Sequence, residues 1–381
     1  MDNKTPKTGR FRRMLFRLLG PSISKAIVAR TLRKKIDKGP AILPVNSQRC
    51  SEILFILPAD RTEMIFQLEN IFSILGRYRN SNLTFICPVA NTSFVSALKN
   101  ARVMKFEPAE FLIYSTEFNR LVGGLAAKAF DICVMLERKY TLAHLYLVGM
   151  SRAHLRVGWE NGLCTSPFLN IRLIAVPREG VNLWERNLEA AKILDAETST
   201  RMRWGVPKSA TEEVAMLLNE HRLKKTPALI CVDLASLQNN CGDEWCAKLL
   251  SALKSSGAGQ YYIFSAEEVS SGGSHDTPFP VLPPMSIPKA AALMAYTDIV
   301  ITGVGALLGL AQISSSKLIP VVTQEQAVLY CRQADGIQPV IVSDKPADAD
   351  IKTVQKSIRA LMSAPQKHLP AAPVADKFPA A

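Results

Sequence analysis

No uninterrupted apolar run in this chain approaches the roughly 20 residues that a membrane-spanning helix needs, although 48% of its 381 residues are hydrophobic. An integral membrane protein is therefore not expected, and the apolar content is left for globular cores. No signal-peptide pattern opens the sequence, which predicts a reducing, cytoplasmic home. The eight cysteines include no C-x-x-C pair, and Cys241 and Cys246 have four residues between them and no nearby histidine. A zinc site is not expected from that spacing. Several cysteines sit inside apolar runs, as in Phe85-Ile86-Cys87 and Ile230-Cys231-Val232, and read as buried free thiols. The histidines His144, His154, His221, His275 and His368 are scattered and form no Ser/His/Asp pattern. No G-x-G-x-x-G follows the first apolar run, which argues against a nucleotide-binding oxidoreductase. No Asp-x-Asp stands in a candidate ligand loop, so no metal is implied.

Net charge is also nearly absent from most of the chain. The net charge is +13, yet the first 39 residues hold twelve Lys and Arg against two Asp, leaving about +3 for everything that follows. A nucleic-acid-binding fold would spread its positive charge over the body and interleave aromatics for stacking, so nucleic acid is not the expected partner. The arm carries Met14-Leu15-Phe16-Arg17-Leu18-Leu19, and Ser22 after Gly20-Pro21 is placed to cap a helix beginning near Ile23. Basic residues around such an amphipathic helix suit an anionic membrane surface. A basic tail without a partner is the alternative.

What is present is repeated alternation. Ile53-Leu54-Phe55-Ile56-Leu57 is a continuous apolar run, as in a parallel strand buried on both faces. An amphipathic helix over 63–75 follows, then strands over 83–87, 103–106, 131–135, 155–159 and 171–176 with helices between them. A helix-rich connector over 183–218, with Trp184 and Trp204 as packing anchors, leads to a fresh start. Strands over 228–232, 261–264, 299–301, 319–322 and 340–342 alternate with helices over 245–253, 287–296 and 354–362. The predicted organisation is a basic arm (1–50), a Rossmann-like domain (51–180), a connector (181–225), a second Rossmann-like domain (226–364) and a disordered tail (365–381). Two α/β, doubly wound domains facing a cleft are the expected architecture.

In such sheets ligands bind beyond the carboxyl ends of the strands, where helix N-termini attract phosphate. The loops to read are therefore 59–62, 233–242, 266–273 and 302–306. Thr302-Gly303-Val304-Gly305-Ala306 follows a strand and opens a helix, so its small residues suit backbone amides approaching a diphosphate; a tight turn without a ligand explains them too. Glu63 opens the first helix of its domain and is placed to act as a general base. The alternative is a first-turn Glu favoured by the helix dipole.

This order of elements resembles glycosyltransferase family nine, the bacterial heptosyltransferases, over about residues 53–342. That resemblance implies a GT-B fold, an ADP-sugar donor and a lipid-linked or lipopolysaccharide-type saccharide acceptor. The family's Gly-Asp pair after the first strand, whose Asp is the base, corresponds to Thr62-Glu63. Its Arg-Val-Gly-aromatic segment corresponds to Arg156-Val157-Gly158-Trp159. Asp233-Leu234-Ala235-Ser236 is similar to its Pro-Gly-Ala-Ser loop, and Ser265-Ala266-Glu267-Glu268 to the segment that meets the donor ribose. Its Asp-Ser/Thr-Gly-Pro-x-His loop falls on Gly303 to Leu308, where only Gly305 matches: the Asp position is Gly303 and the His position is Leu308, and no Lys stands between Ser236 and Trp245.

Two functions are consistent with these residues. One is an inverting sugar transferase at the cytoplasmic membrane face, with Glu63 as base, Ser236 and Glu268 on the nucleotide sugar, and the Thr302, Gly303, Val304 and Gly305 turn on the diphosphate. The other is a catalytically silent relative that serves as a binding or scaffold protein in envelope assembly.

Overall fold

A computed structural model describes residues 41–363 together with 30 and 36, except 97, 99–100, 109–110, 114, 161–167, 175–181, 197–205, 224–227, 266–276, 315, 333–335 and 344–345. The helix expected near Ile23, Trp204, Glu268 and the C-terminal tail lie outside the described residues. The chain divides into two compact units, Met1–Pro177 with Leu188–Thr198, and Arg178–Asn187 with Ser199–Ala381. The segment read as a connector is thus divided between them.

The first unit holds β1 (Glu52–Ile56), β2 (Asn82–Pro88), β3 (Ala101–Phe106), β4 (Ile132–Met135), β5 (Leu155–Glu160) and β6 (Ile171–Ile174). They form one sheet in the order β3-β2-β1-β4-β5-β6, and every pair is parallel. The apolar run of β1 is fully buried from Ile53 to Leu57, because a central strand of a covered parallel sheet meets helices on both faces. Between β1 and β2 the single helix expected over 63–75 is two, Arg61–Phe66 and Leu68–Arg77. They meet at Gln67, which is fully buried and accepts a bond from the Asn70 amide at 3.1 Å. Asn70 in turn accepts from the Ala191 N–H at 2.9 Å. The buried polar pair is thus satisfied where the two helices meet.

The second unit holds β7 (Leu229–Val232), β8 (Gln260–Ile263), β9 (Ile299–Thr302), β10 (Lys317–Val322) and β11 (Val340–Ile341), ordered β11-β10-β9-β7-β8 and again all parallel. Its core joins these strands to the helices Asp243–Ser256 and Asp348–Ser363 through Trp245, Leu249, Leu253, Val354 and Ile358. One expected loop is a helix instead: residues 234–241 form the helix Leu234–Cys241, capped by Asp233, whose carboxylate accepts from the Ser236 N–H.

Each sheet has one place where the strand order reverses. In the first unit it lies between β1 and β4, and in the second between β7 and β9. Connections from the two neighbouring strands leave in opposite directions there and open a crevice at the carboxyl edge. Among the described residues no helix is long and apolar enough to cross a membrane. Seven described cysteines are free, six of them buried, and burial pushes the Cys133 thiol up to about 12.

Candidate active site

In the first unit the reversal point gathers charge. Glu63 lies in the first turn of Arg61–Phe66, which is started by Asp60: the Asp60 carboxylate accepts from the Glu63 N–H at 2.7 Å. The Glu63 side chain is 15% exposed, and its Oε1 lies 3.8 Å from the Arg138 Nε without accepting a hydrogen bond. Burial is the main force on this carboxyl, followed by the negative charge of Glu137, with Arg138 opposing and Asp60 adding to the push. The result is a carboxyl raised to about 7.

Arg138 follows β4, the strand that pairs with β1 across the reversal point. Its guanidinium lies over the fully buried ring of Trp159, 4.4 Å from the centroid. This gives the Arg156-Val157-Gly158-Trp159 segment a physical account. Arg156 is buried and donates to the Phe168 and Ala153 carbonyls, tying the segment before β5 to the one beyond it. Gly158 lies so close to Leu169 and Met135 that a Cβ there would meet both at 3.1 Å. Trp159 carries Arg138. Glu137 and Arg138 were not singled out from the sequence; their signal is their place directly beyond the strand next to β1. His144 caps its own helix, with Nδ1 accepting from the Thr141 N–H at 3.0 Å, and is not part of this cluster.

In the second unit the reversal point carries a closed polar network. Thr302 is fully buried at the end of β9, and its hydroxyl donates to the Asp233 carboxylate at 2.9 Å. The Ser236 hydroxyl lies 3.1 Å from Thr302 Oγ1 and accepts from the Gly303 N–H at 2.9 Å. The structure therefore brings Ser236, Thr302, Gly303, Val304 and Gly305 together. The Gly303 amide, expected on a diphosphate, donates to the Ser236 hydroxyl. A Cβ on Gly303 would lie 2.6 Å from the Ser236 carbonyl oxygen and 2.8 Å from the Asn240 amide, so the glycine is there to let Leu234–Cys241 close on the turn.

What stays open is the N-terminus of the helix Ala306–Ser314. Val304, Gly305 and Ala306 line a small pocket there with Asp233, Ala235, Ser236, Asn239 and Ser265. A Cβ on Gly305 would touch only the Ser236 Cβ, at 3.5 Å. Helix N–H groups beside hydroxyls and an amide make this the part of the unit suited to an anionic group.

No protein-family model matches the chain, and no curated protein matches it in sequence. Solved structures do match. A glycosyl transferase family 9 protein from Veillonella parvula superposes with a TM-score of 0.65 at 13% identity, covering 82% of this chain and 97% of the other. The ADP-heptose lipopolysaccharide heptosyltransferase II of E. coli gives 0.62 at 15% identity over 82% and 98%. The E. coli heptosyltransferase WaaC, solved with ADP-2-deoxy-2-fluoro heptose, gives 0.57 at 14% over 81% and 99%. At these identities the likeness is one of fold: the chain has the two-sheet α/β fold of GT-B glycosyltransferases such as these.

Proposed function

We propose that this protein is an inverting glycosyltransferase that moves a sugar from a nucleotide-sugar donor, an ADP-sugar in the first instance, to a hydroxyl of a lipid-linked or lipopolysaccharide-type saccharide. The Glu63 carboxylate accepts the acceptor hydroxyl proton as the acceptor oxygen bonds to the anomeric carbon. The bond from that carbon to the diphosphate breaks, and the nucleoside diphosphate leaves with the electron pair. The observation that carries this reading is the environment of Glu63: a mostly buried carboxyl, raised to about 7, at the reversal point of its sheet with one oxygen not hydrogen-bonded. A base is most effective when its proton affinity lies near the working pH.

The donor falls to the second unit, with Val304, Gly305 and Ala306 on the diphosphate, Ser236 at the rim, and Glu268 on the ribose. The basic arm supports a seat on the anionic inner face of the cytoplasmic membrane. The fold likeness to a heptosyltransferase solved with an ADP-sugar analogue supports the choice of ADP.

A panel of nucleotide sugars in a thermal-shift assay tests donor binding. At a hundred times its Kd a ligand stabilises the folded state by about 2.7 kcal/mol, so the true donor should raise Tm by about 5 °C or more. A second reading has its own support. The closed Asp233, Thr302, Ser236 and Gly303 network fills polar valences that an enzyme would keep for its donor, as expected of a silent scaffold. That reading predicts no shift with any nucleotide sugar.

A further inference from the structure

Glu137 is among the few charged side chains that are almost wholly buried, at 4% exposure. It is held from both sides of the reversal point: one carboxylate oxygen accepts from the Ala59 N–H, beyond β1, and the other from the Lys139 N–H, beyond β4, each at 2.8 Å. The first of these bonds fixes the segment that leads into Asp60, the cap of the Glu63 helix. The charged groups that act on Glu63 come from two segments. Asp60 lies on its own segment, while Glu137 and Arg138 act on it from beyond β4. Trp159, on β5, seats Arg138.

We propose that Glu137 is a positioning residue for Glu63: a buried carboxylate, pinned by two backbone N–H groups, whose charge makes Glu63 a stronger proton acceptor while Arg138 opposes it. Two carboxyl groups in one crevice with different hydrogen-bond partners divide the labour. Glu137 is held in place by its two backbone bonds, while Glu63, with one oxygen not hydrogen-bonded, is left with the proton affinity that a base needs. This role of Glu137 rests on the reading of Glu63 as the transferase base.

The test is the titration of Glu63 itself, followed by carboxyl-carbon NMR on the full chain labelled at Glu, with Glu63→Gln assigning the signal. In the unmodified protein the Glu63 midpoint should lie near 7. Glu137→Gln should lower it by about one pH unit, because a like charge is removed. Arg138→Gln should raise it, and Glu137→Asp, which keeps the charge, should leave it close to the starting value. Opposite movements in Glu137→Gln and Arg138→Gln cannot come from mere loosening of the crevice, since added water would lower the midpoint in both. A midpoint unchanged by Glu137→Gln, or lowered equally by both variants, would overturn the proposal. Should Glu137→Gln not fold, the Glu137→Asp and Arg138→Gln pair still decides it: a lowered midpoint in both would refute it. No substrate is needed, so the result stands apart from the transferase reading. That reading fails separately if Glu63→Gln still transfers sugar.

Discussion

Replacing Glu63 with Gln should abolish sugar transfer and, at the same time, make the protein more stable above neutral pH. Loss of a general base costs about 10²- to 10⁴-fold in rate. In the unmodified protein kcat/KM for transfer should rise with pH and level off above about 7, since only the ionised carboxyl accepts a proton. The stability effect has the opposite sign because the carboxyl is raised. Glu63 holds its proton more tightly in the folded state than in the unfolded chain, so ionising it disfavours folding. The penalty is absent below about pH 4.5, grows between there and about 7, and is complete above. Glutamine carries no charge to desolvate. At pH 8 the variant should be more stable by on the order of 1–3 kcal/mol, and the gap should close by pH 4.5. Urea unfolding of both proteins across that range checks it. Equal stability at every pH would mean that Glu63 is solvated like any first-turn glutamate.

Gly303→Ala should be the most damaging single-methyl change in the second unit. The added Cβ would meet the Ser236 carbonyl oxygen at 2.6 Å and its carbon at 2.9 Å, both backbone atoms of Leu234–Cys241, and the Asn240 amide at 2.8 Å. Backbone of a packed helix does not yield like the end of a flexible side chain, so the helix must move off the turn and break the bond from the Gly303 N–H to Ser236. A cost of roughly 2–3 kcal/mol is expected, visible as a lower urea midpoint for the C-terminal unit. Gly305→Ala, two residues on, meets only a Cβ at 3.5 Å and should leave stability near that of the parent. If the glycines of this turn served a ligand alone, the two substitutions would be equally harmless to folding. A loss of nucleotide-sugar binding confined to Gly305→Ala would then place the diphosphate at the Ala306–Ser314 N-terminus.

The strands were the legible part of this chain, and the reason is burial. Ile53-Leu54-Phe55-Ile56 and Leu229-Ile230-Cys231-Val232 are apolar on both faces because helices cover both faces of a parallel sheet, and an unbroken run has no other ready explanation. The helix Leu234–Cys241 was not legible. Its serine and two asparagines are residues of loops as much as of helices, and it is held by the Asp233 cap and by its contact with Gly303, a partner 67 residues away from Ser236. Glu63 was visible from its place after the first strand. Glu137 and Arg138 were not, since Glu137-Arg138-Lys139 after an apolar strand reads as a solvated turn. Only the pairing of β4 with β1 shows that the first two of these residues act on Glu63. The Arg-Val-Gly-Trp segment was recognisable as a pattern, but its work, seating a guanidinium on an indole, needed the third dimension.

The central claim is that a sugar leaves a nucleotide on this protein by way of Glu63. It is tested most directly by incubating the full chain with nucleotide sugars and lipopolysaccharide-core acceptors and measuring nucleoside diphosphate release, beside Glu63→Gln. The account predicts release that requires both donor and acceptor, with an ADP-sugar preferred, and that falls at least a hundredfold in the variant. Release that is equal in the two proteins, or absent with every donor while none of them raises Tm, would contradict it.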